Sequence, residues 1–374
     1  MSADLATLVR LKKVIVCCGA GGVGKTTTSA AIGLAAARAG RRVLVLTIDP
    51  ARRLAQAMGL DSHMREPAAV SAERLTEAGV TTGTLSAWML NPDVVFESLV
   101  RRMATSDAQA ERIMKSRLFR ALSELVAGMQ EYTAAEALFE LSSSGRYDLV
   151  VLDTPPARNA LDFLEAPGKL ARFLDERIIT LFLPGGVSNR FFKKATELIG
   201  TVFDKVFGAE FFAELQQFLG SFTGMFGPMR SHAEGVRRLL TGPDAAFLLV
   251  TSPDQAALAD ARYFRDRIAS MGLPFAGFVL NRSWARTEGF VEPASLELAP
   301  DAPPATATAL AKLELLARLE HDRVARDRAL LNHLAREVPS TAFAIAAPYL
   351  GEAVEDLKGL AQLASGIAEG PAVG

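Results

Sequence analysis

The run Lys13-Val14-Ile15-Val16-Cys17-Cys18-Gly19-Ala20-Gly21-Gly22-Val23-Gly24-Lys25-Thr26-Thr27 decides how the rest of the chain is read. An apolar, β-rich segment gives way to a glycine loop and then to the Ala/Thr-rich stretch Lys25–Arg38, which predicts strand, loop and helix in that order. Gly19–Thr26 fits the GxxxxGK[ST] pattern in the strand-to-helix setting that the pattern needs. Through Gly21, Gly22, Val23 and Gly24 successive backbone N–H groups can converge on phosphate oxygens at a helix N-terminus. Lys25 then neutralises the β- and γ-phosphates, and the Thr26 hydroxyl ligates Mg²⁺. The plainer alternative is a glycine-rich turn with no ligand. The strand and helix on either side weigh against it.

Outward from this loop, short β-rich runs alternate with longer helical patterns. Lys13–Cys18, Arg42–Ile48, Thr84–Leu90, Tyr147–Asp153, Ala246–Thr251, Phe275–Leu280 and Thr341–Ala346 read as strands. Such alternation predicts an α/β fold whose mostly parallel sheet carries helices on both faces. Val43-Leu44-Val45-Leu46 and Leu149-Val150-Val151-Leu152 are continuously apolar, as strands buried on both sides must be.

Two stretches break the rhythm, and the expected organisation follows from them. Residues 1–168 and 241–374 form the sheet core, which includes the helical segment 92–144, and 169–240 is a helical insertion subdomain. Nine of the 21 phenylalanines fall between Phe191 and Phe226. Phe203, Phe207, Phe211, Leu215, Phe218, Phe222 and Phe226 recur at three- or four-residue steps, one helical face. That stripe is either a core seam or, with Met225, Met229 and several glycines nearby, an adaptable apolar groove. A Pro/Ala/Thr-rich stretch, Glu292–Ala307, reads as an exposed loop.

Composition excludes several classes. With 49% hydrophobic and 22% charged residues the 374-residue chain is an ordinary globular one. Lys plus Arg number 41 against 42 acids, and no long basic run marks a nucleic-acid partner. Cys17 and Cys18 are the only cysteines, and adjacent strand residues point to opposite sides of a sheet. They cannot together hold zinc or an iron–sulfur cluster, so neither is expected. No apolar run reaches the roughly 18 residues of a membrane-spanning helix, and Met1–Lys13 lacks a signal-peptide core, so a soluble cytoplasmic protein is expected.

Two further turns supply carboxylates at strand ends, where open parallel sheets place their ligand crevice. Ile48-Asp49-Pro50-Ala51-Arg52-Arg53-Leu54 follows the second strand, and Asp153-Thr154-Pro155-Pro156 ends the fourth. Asp153 suits the hydration shell of Mg²⁺, and Asp49 suits an attacking water. Either aspartate alone also fits a turn former before proline.

Together these residues resemble the ArsA family of P-loop ATPases, which includes the arsenite-pump ATPase and the ATPase that escorts tail-anchored membrane proteins. The likeness rests on Gly19–Thr27, Asp49–Leu54, Gly128–Tyr132, Asp153–Pro156 with Asn159–Leu164, Val250–Pro253, Leu280-Asn281-Arg282 and Ala347–Leu350. Around Asp153 it is closest to the bacterial anion-transporting branch. The resemblance implies a nucleotide-gated dimer with itself or a paralogue, ATP and Mg²⁺ as ligands, and Thr27 with the phosphate loop. It places Asp49 and Asp153 in two switches and Asn281 and Pro348 beside adenine, and makes 169–240 the surface for an apolar client or membrane-protein partner, with transient presence at the membrane.

The sequence departs from the family in two respects. Neither arsenite thiolates nor a paired-cysteine zinc clasp can be built from Cys17 and Cys18, and Ala20 stands where relatives carry a lysine that crosses the dimer. The function expected is therefore a cytosolic Mg²⁺-dependent ATPase whose closing and opening binds and releases an apolar client. Its alternatives are a low-activity regulatory or scaffold subunit of a heterodimeric ATPase and an ATPase subunit energising a membrane anion transporter. Arg52 or Arg158 could fill the place of the missing lysine from within. A cytoskeletal or cargo-positioning ATPase would bring a basic face or terminal amphipathic helix, and the acidic Gly351–Gly374 stretch does not serve.

Overall fold

The computed structural model describes residues 4–48, 58–60, 64, 66–116, 129–155, 165, 220, 226–287, 303–351 and 353–368. Its chain divides into two compact units, Met1–Met89 with Gly145–Ala157 and Gly242–Gly374, and Leu90–Ser144 with Arg158–Thr241. Helices from the 92–144 segment and residues after 158 thus fall in one unit.

Eight strands build the first unit. They are β1 (Val14–Cys18), β2 (Arg42–Thr47), β3 (Ala68–Ala69), β4 (Thr84–Met89), β5 (Leu149–Asp153), β6 (Ala245–Thr251), β7 (Phe275–Ser283) and β8 (Phe343–Pro348). Their order is β3-β4-β2-β5-β1-β6-β7-β8, parallel throughout except for the antiparallel β3. Seven are the strands read from the sequence, displaced by one to three residues at their ends. The eighth, β3, pairs only Ala68 and Ala69 with β4, too short to show a periodicity.

Strands β1, β5 and β6 are buried at every position, which the unbroken apolar runs require. One face of the sheet is covered by α1 (Leu5–Leu11), α2 (Lys25–Arg38) and α10 (Leu357–Ala368), whose buried residues join one core with Ile15, Val43, Val45, Leu149 and Val151. Small side chains such as Ala30, Ala31 and Ala37 let α2 lie deep between sheet and α10. Against the other face of β6, β7 and β8 pack α8 (Gln255–Ser270) and α9 (Pro304–Glu337). Cys17 belongs to the core under α2, and Cys18 alternates to the opposite side. Between β3 and β4 runs α3 (Ala72–Glu77).

The start of α9 corrects the loop reading of Glu292–Ala307. Pro304–Ala307 are helical, because a proline at the first helical position has its φ preset and no N–H to lose. Residues 288–302 lie outside the described residues.

The second unit contains α4 (Pro92–Met103), α5 (Asp107–Lys115), α6 (Met129–Ser143) and α7 (Phe226–Thr241). Glu136 of α6 is fully buried and meets His232 Nδ1 of α7 at 2.7 Å, while Arg102 of α4 reaches Glu136 and Glu140. Phe139 packs edge-on against His232 and over Gly235, where an added Cβ would lie 2.8 Å from the ring. Met229 is buried here, so it serves packing in this unit and not an open groove. The Phe stripe from Phe191 to Phe222, with Met225, lies outside the described residues.

At the opposite edge from the phosphate loop, Asp148 joins the starts of β2 and β5. Its carboxylate accepts the Arg42 backbone N–H at 2.9 Å and Arg42 Nη2 at 2.6 Å, and these contacts hold it down to about 2 from the ordinary 3.8. A carboxyl depressed on folding stabilises the fold above its unfolded value and loses that contribution as pH falls from about 4 towards about 2. Arg42 is half exposed, so solvent weakens the effect. Asp148→Asn should lower the melting temperature at pH 7 by about 1–3 °C, with the gap to the unsubstituted protein closing near pH 2 in circular-dichroism melts. A gap that stays constant down to pH 2 would mean that the charge is not its source.

Candidate functional site

The strand order reverses at β1, with β5 on one side and β6 on the other, so a crevice opens at the carboxyl end of β1. The phosphate loop leaves from there. Gly19 has φ +156°, and a Cβ on it would lie 2.1 Å from the Val250 carbonyl oxygen at the end of β6. Gly24 caps α2 with φ +89°, and a Cβ on it would lie 2.1 Å from Asn281 Nδ2. Glycine is thus demanded at both ends of the loop, by backbone conformation and by close neighbours.

Lys25 opens α2 and is buried, with Nζ donating to the Ala20 carbonyl at 2.9 Å. Its ammonium is drawn back across the loop, towards the place where loop N–H groups can hold phosphate. Thr26 Oγ1 donates to Asp153 Oδ2 at 2.6 Å. Thr47 Oγ1, from the end of β2, donates to the same oxygen at 2.9 Å. Strand register explains the meeting, since Asp153 pairs with Cys17 on one side and Thr47 on the other. The next residue, Thr154, is fully buried and donates from its hydroxyl to the Cys17 carbonyl at 2.9 Å.

These residues fit Mg²⁺. A hydroxyl and a carboxylate, both hard oxygen donors, stand 2.6 Å apart beside a loop whose Gly19 and Gly24 leave no room for a Cβ. Among the described residues no group of three or more His, Cys, Asp or Glu side chains converges as a metal cage. Mg²⁺ binds one or two protein oxygens along with substrate phosphate and water. Burial pushes the Cys18 thiol up to about 12 and the Cys17 thiol higher, so neither is poised for thiolate chemistry.

Of the residues singled out in the sequence, Gly21, Gly22, Val23, Gly24, Lys25, Thr26 and Thr27 lie in the loop and the first turn of α2, and Asp153 meets Thr26. Asn281 is nearly buried at the end of β7, and its Nδ2 donates to the Val23 carbonyl at 2.8 Å, which braces the loop across the end of β6. Pro348 ends β8 and pairs with Ser283, placing it on the strand end next to that of Asn281. Asp49, Arg52 and Arg158 lie outside the described residues. Sequence reasoning missed Thr47 and the Asn281–Val23 bond. Thr47 carried a weak signal as a hydroxyl at the end of an apolar strand; the bond spans 258 positions and carried none.

Among the described residues no helix is long and apolar enough to cross a membrane. Residues 12–288 match the family model described as anion-transporting ATPase, ArsA. Curated relatives include an ATPase GET3 of Malassezia globosa, 26% identical over 63% of this chain and 59% of its own length. An ATPase GET3 of Kluyveromyces lactis is 22% identical over 71% of this chain and 70% of its own. An uncharacterised protein of Streptomyces coelicolor is 32% identical over 43% of this chain and 39% of its own. The chain spans about half the length of most of the curated relatives it matches.

The Asn281 brace makes a specific claim about Gly24. Gly24→Ala adds a methyl to a left-handed position and drives it into Asn281 Nδ2, a local strain of about 1–3 kcal/mol. Calorimetric titration should show Mg·ATP affinity lowered at least ~10-fold in a protein whose circular dichroism is unchanged. Unchanged affinity would remove the brace from the site.

Proposed function

Since this chain belongs to the ArsA family of anion-transporting ATPases, we propose that it hydrolyses ATP with Mg²⁺ in the cytosol. We further propose that it uses ATP-driven closing and opening of a dimer to bind and release an apolar client or membrane-protein partner. The observation that carries the reading is the 2.6 Å bond from Thr26 to Asp153, which ties the phosphate loop to the end of β5. A carboxylate there reports directly on what the loop holds.

The catalytic part follows from charge and position. Phosphoryl transfer passes through a transition state that needs alignment and charge neutralisation more than covalent help. Loop N–H groups and the Lys25 ammonium neutralise phosphate oxygens, and Lys25 exchanges the Ala20 carbonyl for them. Thr26 and Asp153 would hold Mg²⁺, which when bound supplies further neutralisation of the β- and γ-phosphates. Asp49 is assigned to the attacking water, and Asn281 and Pro348 to the adenine side. No covalent intermediate is needed.

The coupling part follows from the course of the chain. Asp153 lies four residues before Ala157, where the sheet unit gives way to the segment beginning at Arg158. Thr154 is pinned to β1 meanwhile, so a change at the phosphates passes into the second unit along a short, tethered connection. Residues 169–240 are proposed as the client surface, with the Phe stripe as its apolar lining.

Ala20 favours a second reading. Its methyl packs on the core, and no side chain extends from it towards a partner's nucleotide. In that reading the chain is a low-activity subunit that works with a lysine-bearing paralogue. Steady-state ATPase rates of the chain alone and with such a paralogue separate the two, because stimulation is expected only in the second.

Lys25→Ala should abolish hydrolysis, and Asp49→Asn should leave Mg·ATP binding intact while slowing turnover at least ~100-fold in a phosphate-release assay. Substantial turnover in the Asp49 variant would overturn its role. Phe207→Ser with Phe211→Ser should weaken capture of an apolar client peptide more than it lowers ATP turnover. If that variant instead melts at much lower temperature, the stripe is core.

A further inference from the structure

Beyond Asn281 the chain is shaped by a residue far from every motif. Asp327, in the second half of α9, is fully buried. Its Oδ2 accepts the Trp284 backbone N–H at 2.9 Å and the Ser283 hydroxyl at 3.4 Å. Its Oδ1 accepts Arg326 Nε at 3.1 Å and Nη2 at 3.0 Å. Ser283 Oγ also accepts the Ala285 N–H at 3.1 Å, and Arg328 Nε donates to the Ala285 carbonyl at 3.0 Å. The turn after β7 is therefore held by side chains of α9.

Between Leu280 and Ser283 strand β7 advances three residues while β8 advances two, from Ala346 to Pro348. This bulge contains Asn281 and Arg282. Arg282 has φ +56°, the one non-glycine residue with positive φ among the described residues. A left-handed residue with a Cβ costs about 1–2 kcal/mol and persists only where its surroundings over-determine it. A buried carboxylate is likewise costly unless its oxygens are well partnered. Both costs fall on one turn, and the residue that enters it, Asn281, bonds the phosphate loop at Val23.

We propose that Asp327 is a positioning residue for nucleotide turnover: it fixes the 282–284 turn, the turn sets the Asn281 side chain, and Asn281 braces the loop. The proposal rests on the ATPase reading for its kinetic readout and on loop geometry alone for its second. Packing of α9 by itself does not call for a carboxylate at this depth, since Val324, Leu331 and Leu334 already anchor the helix. What the carboxylate adds is an acceptor for the N–H of Trp284, whose ring stacks on Tyr349 with centroids 5.2 Å apart.

Asp327→Asn keeps the size and removes the charge, leaving an amide that cannot accept from both sides at once. Its KM for ATP should rise about tenfold with kcat within about twofold, the range for a buried donor losing its partner. Deuterium exchange of peptides covering 19–27, measured without nucleotide, should quicken. In an Asn281→Ala background the same substitution should add less than about twofold to KM, because the path to the loop is already cut. A lower melting temperature with unchanged KM and unchanged exchange would overturn the proposal, and so would additive effects in the double variant. Should Asp327→Asn fail to fold, Ser283→Ala removes the weaker contact and is expected to act in the same direction by about two- to threefold. A flat response there would also overturn it. If the unsubstituted protein does not hydrolyse ATP, the ATPase reading falls, and the exchange comparison still decides the role of Asp327.

Discussion

The site depends on one carboxylate oxygen. Asp153 Oδ2 accepts hydroxyls from Thr26, in the first turn of α2, and from Thr47, at the end of β2, and Asp153 itself has no exposed surface. A charge at that depth is tolerable only where donors are fixed around it. The donors are fixed because β1, β2 and β5 are hydrogen-bonded neighbours in register, with Cys17, Thr47 and Asp153 in one row. The apolar strands below the row supply that rigidity. Sheet register is thus a precondition of the site's charge balance.

The loop is held from the other side as well. Val250 at the end of β6 approaches Gly19, and Asn281 at the end of β7 approaches Gly24 while bonding Val23. The ends of β1, β5, β6 and β7 therefore converge on eight residues, with the end of β2 joined through Asp153. This crowding explains why the GxxxxGK[ST] glycines tolerate no side chain here, independently of any phosphate. A loop whose N–H groups are aligned beforehand also reorganises little when charge develops near it.

Much of this was legible in the sequence, and the limits have physical causes. Buried parallel strands are continuous apolar runs, so seven strands could be placed from Lys13 to Ala346 with errors only at their ends. The glycine loop and its helix were legible because each is a local arrangement. Asn281 was singled out by family likeness, but its bond to Val23 arises from tertiary packing between distant segments, which no local period encodes. Asp327 gave no signal at all: within a 34-residue helix rich in charge, one buried aspartate looks like its exposed neighbours Asp322 and Arg326. Two-residue β3 and the start of α9 at Pro304 were missed for the opposite reason, too little sequence to carry a pattern and a proline that punctuates loops and helix starts alike.

The route of the chain passes between the two units at four places. It leaves the sheet unit after Met89, the last residue of β4, and again after Ala157, four residues beyond β5. It returns at Gly145 and Gly242, ahead of β5 and β6. In a parallel sheet all carboxyl ends share one edge, so both departures start from the edge that carries the phosphate loop and both returns reach the opposite edge. The departure after β5 follows Asp153 and Thr154 directly, the two residues bonded to the loop and to β1. Within the second unit, the buried carboxylate of Glu136 links α4, α6 and α7 through the partly exposed side chains of Arg102 and His232. Buried polar contacts resist gradual sliding, because a partly broken one leaves a charge unsatisfied. The buried Glu136 carboxylate thus ties the three helices to one another through donors whose loss would be costly at that depth.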